Sequence, residues 1–139
     1  MKNPLLLLLV IVSFFSCGTK EDIQRKAAED LVVQIMVTGQ WVVTNYTKGT
    51  TDLTTDFSPY KFQFHDNRTV DALKLNTLEK SGTWDANSTA RTITSNFVNA
   101  NATLSLLNGT WTITNSTLTT VEANKISNGE VSLLKLVKQ

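Results

Sequence analysis

The sequence predicts an all-β domain: an eight-stranded antiparallel meander closed into a barrel and preceded by one helix. Three observations carry that reading. Threonine occurs 21 times in 139 residues, and its branched Cβ fits a pleated strand better than a helical turn. From Gly39 onward, short runs of Val, Ile, Thr and aromatic residues alternate with Asn, Asp, Gly and Ser clusters, at the roughly 8–12-residue spacing of a meander. The stretch Tyr60-Lys61-Phe62-Gln63-Phe64-His65 alternates cleanly, so Tyr60, Phe62 and Phe64 share one face and Lys61, Gln63 and His65 the other.

The chain opens on an address. Met1-Lys2-Asn3 is a short positive segment, and Leu5 to Phe15 is an 11-residue apolar stretch broken only by Ser13. That length suits a signal peptide and is too short to cross about 30 Å of hydrocarbon as a helix. Residues 1–16 therefore read as a signal peptide, residues 17–38 as a tether and helix, and residues 39–139 as the barrel domain. Lys plus Arg number 13 and Asp plus Glu 12. Loss of Lys2 with the signal peptide balances the two, which leaves no basic excess to attract nucleic acid. Cys17 is the only cysteine and His65 the only histidine, which excludes disulfide frameworks and Cys- or His-rich metal sites. No metal or cofactor is expected.

Thr19 to Thr38 is expected to be helical. Thr19 stands as an N-cap with Asp22 three residues later. Ile23, Ala27, Leu31 and Ile35 recur at four-residue spacing as an apolar stripe, and Gly39 is a stop. Leu31 to Val37, rich in β-branched residues, also reads as a strand; the caps favour the helix. The expected strands run over 40–48, 58–66, 68–76, 80–86, 90–97, 109–116, 117–124 and 130–138. Asp66-Asn67, Asp85 to Ser88, Asn115-Ser116 and Ser127-Asn128-Gly129 supply turns, and Asn101 to Asn108 a helical turn carrying Leu104 and Leu107. In Val70 to Leu75 the alternation slips between Ala72 and Leu73, which predicts a bulge. Closing eight strands into a barrel removes exposed edges.

Catalytic signals are weak. His65 has no nucleophile motif beside it. The carboxylates Asp52, Asp56, Asp66, Asp71, Glu79, Asp85, Glu122 and Glu130 scatter over turns and select no pair. No phosphate-binding glycine loop or calcium loop occurs. Six Asn-x-Ser/Thr sequences are what Asn-rich turns beside Thr-rich strands produce. The chain is expected not to be an enzyme.

Phe14-Phe15-Ser16-Cys17-Gly18 resembles, loosely, the lipobox of bacterial lipoproteins. The resemblance implies cleavage before Cys17, diacylglycerol on its sulfur and an acyl chain such as palmitate on its new amine; more than one chain is needed for stable anchoring. Lys20-Glu21-Asp22 resembles the export signal of surface lipoproteins in Bacteroidota-type bacteria. An outer-membrane anchor with exposure at the cell surface is the localisation this implies, with the membrane itself as first partner.

Three tryptophans each follow a glycine by two residues: Gly39-Gln40-Trp41, Gly82-Thr83-Trp84 and Gly109-Thr110-Trp111. The first, after a helix, resembles the G-x-W signature of lipocalins. The order of helix, G-x-W, Phe57-Ser58-Pro59-Tyr60-Lys61-Phe62-Gln63-Phe64, G-T-W and Leu107 to Trp111 is similar to the small lipocalin-like lipoproteins of Bacteroidota, over residues 30–138. Where lipocalins stack a late arginine on the first tryptophan, the final strands here carry only Lys125, Lys135 and Lys138. The resemblance implies a lipocalin-like barrel that binds a small apolar ligand or a surface protein partner. Trp41, Tyr60, Phe62, Phe64, Trp84 and Trp111 are then either a packed core or the wall of a ligand cavity, with Tyr60 the inward residue best able to offer a hydrogen bond. The alternative is an interaction or inhibitor module with a packed barrel and no interior ligand.

Overall fold

The computed structural model describes residues 19–139; the signal peptide expected over 1–16 and the lipid attachment expected at Cys17 lie outside the described residues. Helix α1 spans Lys20–Val37 with Thr19 as its N-cap. The Thr19 hydroxyl accepts from the Asp22 amide at 3.4 Å, which satisfies one orphan donor of the first turn, and donates to the Asp22 carboxylate at 2.8 Å. Gly39 then adopts a left-handed φ of +76°, a region side chains other than glycine's rarely occupy.

The strands are β1 (Trp41–Lys48), β2 (Thr51–Asp52), β3 (Tyr60–Phe64), β4 (Thr69–Lys74), β5 (Thr77–Asn87), β6 (Thr92–Asn96), β7 (Gly109–Ser116), β8 (Thr120–Ser127) and β9 (Glu130–Lys138). Every pairing is antiparallel, and β1 also pairs β9, so eight strands close a barrel in meander order. The ninth strand, β2, is a two-residue flap hydrogen-bonded to the end of β1. It is too short to leave an alternating pattern, which is why eight strands were expected.

Closure is tight on one side of β1 and loose on the other. Trp41 through Lys48 pair Lys138 through Ser132, with a bulge between Val43 and Asn45. Toward β3, β1 pairs only Trp41 with Phe62. Below that point a 3-10 turn, Thr54–Phe57, fills the seam: Thr54 accepts from the Tyr46 amide at 2.9 Å and Phe57 stacks 5.0 Å from Tyr46. The bulge predicted between Ala72 and Leu73 is present. The short helix α2 (Ala102–Ser105) is also as expected, capped by Asn101 and burying Leu104.

Several boundaries move: β3, β4 and β6 are shorter than expected, and β5 and β8 shift along the chain. Strand β5 begins at Thr77 and runs to Asn87 rather than covering 80–86. Strand β8 begins at Thr120 rather than 117, because Asn115 and Ser116 pair with Glu122 and Val121 and the turn falls at Thr117 to Thr119.

The apolar stripe on α1 is overturned in its first half. Ile23 and Leu31 are 65% and 55% exposed. Only the last turns reach the core, where Met36 is buried and Val32, Val33, Ile35 and Val37 pack against it. Ile23 and Ala27 stay in water, and Leu31 borders an open groove between α1 and strands β5, β6 and β7.

Gly82 is required by contact rather than by backbone angle. A Cβ there would stand 2.6 Å from the Asn96 carbonyl oxygen and 2.7 Å from the Phe97 ring. Overpacking of this kind costs about 1–3 kcal/mol. Gly82→Ala is expected to lower the denaturation midpoint in urea without changing the slope; an unchanged midpoint would mean that β5 and β6 separate freely.

Candidate functional site: the barrel interior and its two ends

Every aromatic residue singled out from the sequence is buried: Trp41, Tyr60, Phe62, Phe64, Trp84 and Trp111 all belong to the core. They fill the barrel. Phe64 meets Trp84 edge-on at 5.2 Å, and Phe62 lies 6.2 Å from Tyr60 and 6.3 Å from Phe97, distances at which ring pairs attract. What remains inside is a cavity of about 40 Å³ bordered by Met36, Phe62, Phe64, Phe97, Leu107 and Trp111 among others. That is room for a few waters, against the roughly 300–1,000 Å³ of small-molecule pockets.

The three G-x-W tryptophans share one arrangement. Each indole Nε1 donates to a main-chain carbonyl: Trp41 to Met36 at 2.9 Å, Trp84 to His65 at 3.0 Å and Trp111 to Leu107 at 2.8 Å. Each ring also carries a cation: Lys138 at 5.0 Å from Trp41, Arg68 at 5.2 Å from Trp84 and Lys125 at 4.5 Å from Trp111, within reach of a cation–π attraction. The lysines bond the same main-chain segments, Lys138 to the Ile35 carbonyl at 2.7 Å and Lys125 to those of Leu106 and Asn108 at 2.9 and 2.7 Å. Lys138, one of the three late lysines, thus stands over the first tryptophan. Burial pushes the Lys125 ammonium below the usual lysine range.

Each motif is a clamp in which the indole grips a peptide group beside a barrel end; in two of them the lysine grips main chain as well, while Arg68 pairs with Asp85 at 3.1 Å. Trp41 and Lys138 hold the last turn of α1 over one mouth. Trp111 and Lys125 hold the segment after α2 over the other. Trp84 holds the turn between β3 and β4. The roles seen here for the three tryptophans are structural.

Tyr60 does not offer its hydroxyl to the interior. The hydroxyl donates to the Glu79 carboxylate and accepts from Asn101 Nδ2 at 2.8 Å. Asn101 meanwhile caps α2 by accepting from the Leu104 amide at 2.9 Å. Burial, then the Glu79 carboxylate, hold the Tyr60 phenol above its ordinary value. Tyr46, which the sequence did not single out, ties the same plug from the other side, its hydroxyl donating to the Leu106 carbonyl at 3.0 Å.

Among the polar groups, His65 Nε2 lies 3.0 Å from Asp71, whose other oxygen accepts from the Ser81 hydroxyl at 2.5 Å. The carboxylate sits between serine and histidine, so the histidine is not placed to take the serine proton. Ser81 first, then His65, hold the Asp71 carboxyl below the usual carboxylate range. A carboxyl depressed in the fold contributes stability above its unfolded pKa and loses it as pH falls through the folded value. Asp71→Asn is therefore expected to flatten part of the acid limb of a thermal-stability profile below about pH 5 and to leave its alkaline side unchanged. Among the described residues no group of three His, Cys, Asp or Glu could hold a metal ion, and no helix is long and apolar enough to cross a membrane.

Lys20, Glu21 and Asp22 form the first turn of α1, with Asp22 paired to Arg25 at 3.0 Å. Beside the barrel mouth, a groove of about 390 Å³ runs between α1 and the strands, lined by Val32, Ile35, Met36, Ile113, Leu118 and Val121 among others. No sequence pattern marks it, because its walls come from α1, β6, β7 and β8.

No family model and no curated protein matches the chain. Among solved structures it is similar to a crystal structure of a DUF4847 family protein from Bacteroides vulgatus, with a TM-score of 0.54 and 15% identity over 78% of this chain and 99% of that one. The likeness is one of fold.

Proposed function

We propose that the protein is a non-catalytic lipoprotein of the outer membrane, anchored through Cys17 and exposed at the cell surface, whose packed barrel serves a protein partner rather than carrying a ligand inside. The observation that supports the partner reading is the filled interior, about 40 Å³. The β8–β9 hairpin also leaves large apolar side chains in water: Ile126, Val131 and Leu133. Neighbouring exposed apolar groups on one hairpin are a common sign of an interface. The ligand reading is supported by less. A small apolar molecule would have to lie outside the barrel, in the groove beside α1, where Leu118→Asp would abolish its binding.

The anchor rests on the residues around Cys17, the only thiol that acyl chains could join. Cys17→Ser is expected to leave the protein unprocessed or soluble; normal membrane fractionation of that variant would sink the lipoprotein reading. Surface exposure rests on Lys20-Glu21-Asp22. Digestion by protease added to intact cells is the expected result, whereas digestion only after the outer membrane is opened would reduce those residues to a helix start. Co-purification of a defined partner in mild detergent, lost on Leu133→Asp, would support the docking hairpin.

A further inference from the structure

We infer a ligand site on the outside of the barrel: the groove between α1 and strands β5 to β8 takes a long-chain fatty acid, with its carboxylate at Arg91 and its alkyl chain running toward Leu118. The site rests on the reading that places a small apolar molecule beside α1, and needs neither the anchor at Cys17 nor a protein partner. The groove exists because α1 leans to one side. It meets the strands mainly at β3 and β5 and buries Met36 in its last turn, which leaves the side toward β7 and β8 uncovered. Two clefts of about 260 and 390 Å³ lie along it and share Val32, Ile113 and Ser116 as walls. Together they follow α1 from Ala28 to Met36, about 12 Å at about 1.5 Å per residue. Leu31 lines the first and Leu118 the second, and the two side chains are 55% and 68% exposed.

Shape and charge name the occupant. A long apolar trough accommodates a linear chain, and releasing water from Leu31 and Leu118 favours its binding. One end differs in chemistry. Arg91 lines the cleft that holds Ala28 and Leu31, beside Asn87, Ser88 and Thr92. Among the described residues it is the only charged side chain that lines either cleft. It enters none of the ion pairs that the described residues make. Its carbonyl accepts from the Ile113 amide at 2.8 Å, which ties the residue to the strand that walls both clefts. A guanidinium presents parallel donors that match the two oxygens of a carboxylate. The far end, with Leu118 and Val121, has no such group, so an anionic head on an alkyl chain has one orientation here.

Dodecanoate is the probe, titrated by calorimetry without detergent into the full chain carrying Cys17→Ser. Saturable one-to-one binding in the micromolar range is expected. Dodecyltrimethylammonium, the same chain under a cationic head, is expected to bind about tenfold more weakly. Arg91→Gln should weaken dodecanoate about three- to fivefold, as for an exposed ion pair, and bring the two heads to similar affinity. Leu118→Asp should abolish binding of both. Arg91 and Leu118 are exposed, so both variants keep the fold. No tryptophan is among the described residues that line the clefts, so tryptophan emission should stay unchanged on binding. No binding of dodecanoate up to about 1 mM would overturn the inference and leave the filled barrel standing. Equal affinity for the two heads, or unchanged affinity in Arg91→Gln, would overturn the carboxylate site at Arg91. Binding that survives Leu118→Asp and quenches tryptophan would overturn both the groove site and the filled barrel.

Discussion

Replacing Trp84 with alanine is expected to destabilise the protein by about 3–5 kcal/mol, the usual cost of emptying a buried tryptophan site, and to lower the melting temperature by more than about 10 °C. Trp84 packs edge-on against Phe64, donates to the His65 carbonyl and lies beneath Arg68. Its loss removes the packing and one of the two hydrogen bonds to that carbonyl, which keeps the Arg68 amide. Against a total stability of about 5–15 kcal/mol, the variant should be near the edge of folding. Trp84→Phe, which keeps the ring and loses the hydrogen bond, should recover most of the loss. An unchanged melting temperature for Trp84→Ala would mean that the ring borders open space.

Leu104→Ala should rank next, at about 2–5 kcal/mol. Leu104 is fully buried on α2, the short helix that Tyr46, Tyr60, Lys125 and Asn101 tie across the far mouth of the barrel. Removing its side chain leaves a void next to Leu107, which already borders the internal cavity. The cavity should become large enough to take a small aromatic such as indole, seen as a rise in melting temperature with added indole that the unmodified protein does not show. Stability within 1 kcal/mol of the unmodified protein would mean that α2 is not the plug.

Much of the fold is legible because each strand carries its own burial pattern. Tyr60 to Phe64 alternate in the sequence and in the barrel, and Thr110, Thr112 and Thr114 face water opposite Trp111. The slip at Ala72 shows as a slip in register. Turn residues mislead where they are used as strand residues: Asn115 and Ser116 continue β7, which displaces the predicted start of β8. On α1, four-residue spacing identifies a helix face but not what it faces. The same Ile23, Ala27 and Leu31 that signal a helix stay outside the core, because only the last turns pack into it.

The site was legible as composition and not as geometry. The three Gly-x-Trp sequences mark the clamps, but the cations over them come from distant positions, Arg68, Lys125 and Lys138, at no fixed spacing. Lys138 was in view as one of three late lysines; only the closure of β9 on β1, which pairs it with Trp41, brings it over the ring. Whether the buried rings enclose space or fill it depends on how deeply opposite strands interdigitate, and alternation along one strand does not contain that quantity. Tyr60 illustrates the limit: its inward burial is readable, while the engagement of its hydroxyl by Glu79 and Asn101 is a long-range contact.

The central claim is that the barrel is full. The most direct test titrates the soluble Cys17→Ser protein with palmitate, retinol and haem while following the fluorescence of Trp41, Trp84 and Trp111. With an interior of about 40 Å³, no saturable quenching is expected from any of them up to tens of micromolar, well above the roughly micromolar dissociation constants at which about 8 kcal/mol of binding would show. Saturable micromolar quenching that persists in Leu118→Asp, where the groove beside α1 is spoiled, would place a ligand inside the barrel and contradict the account.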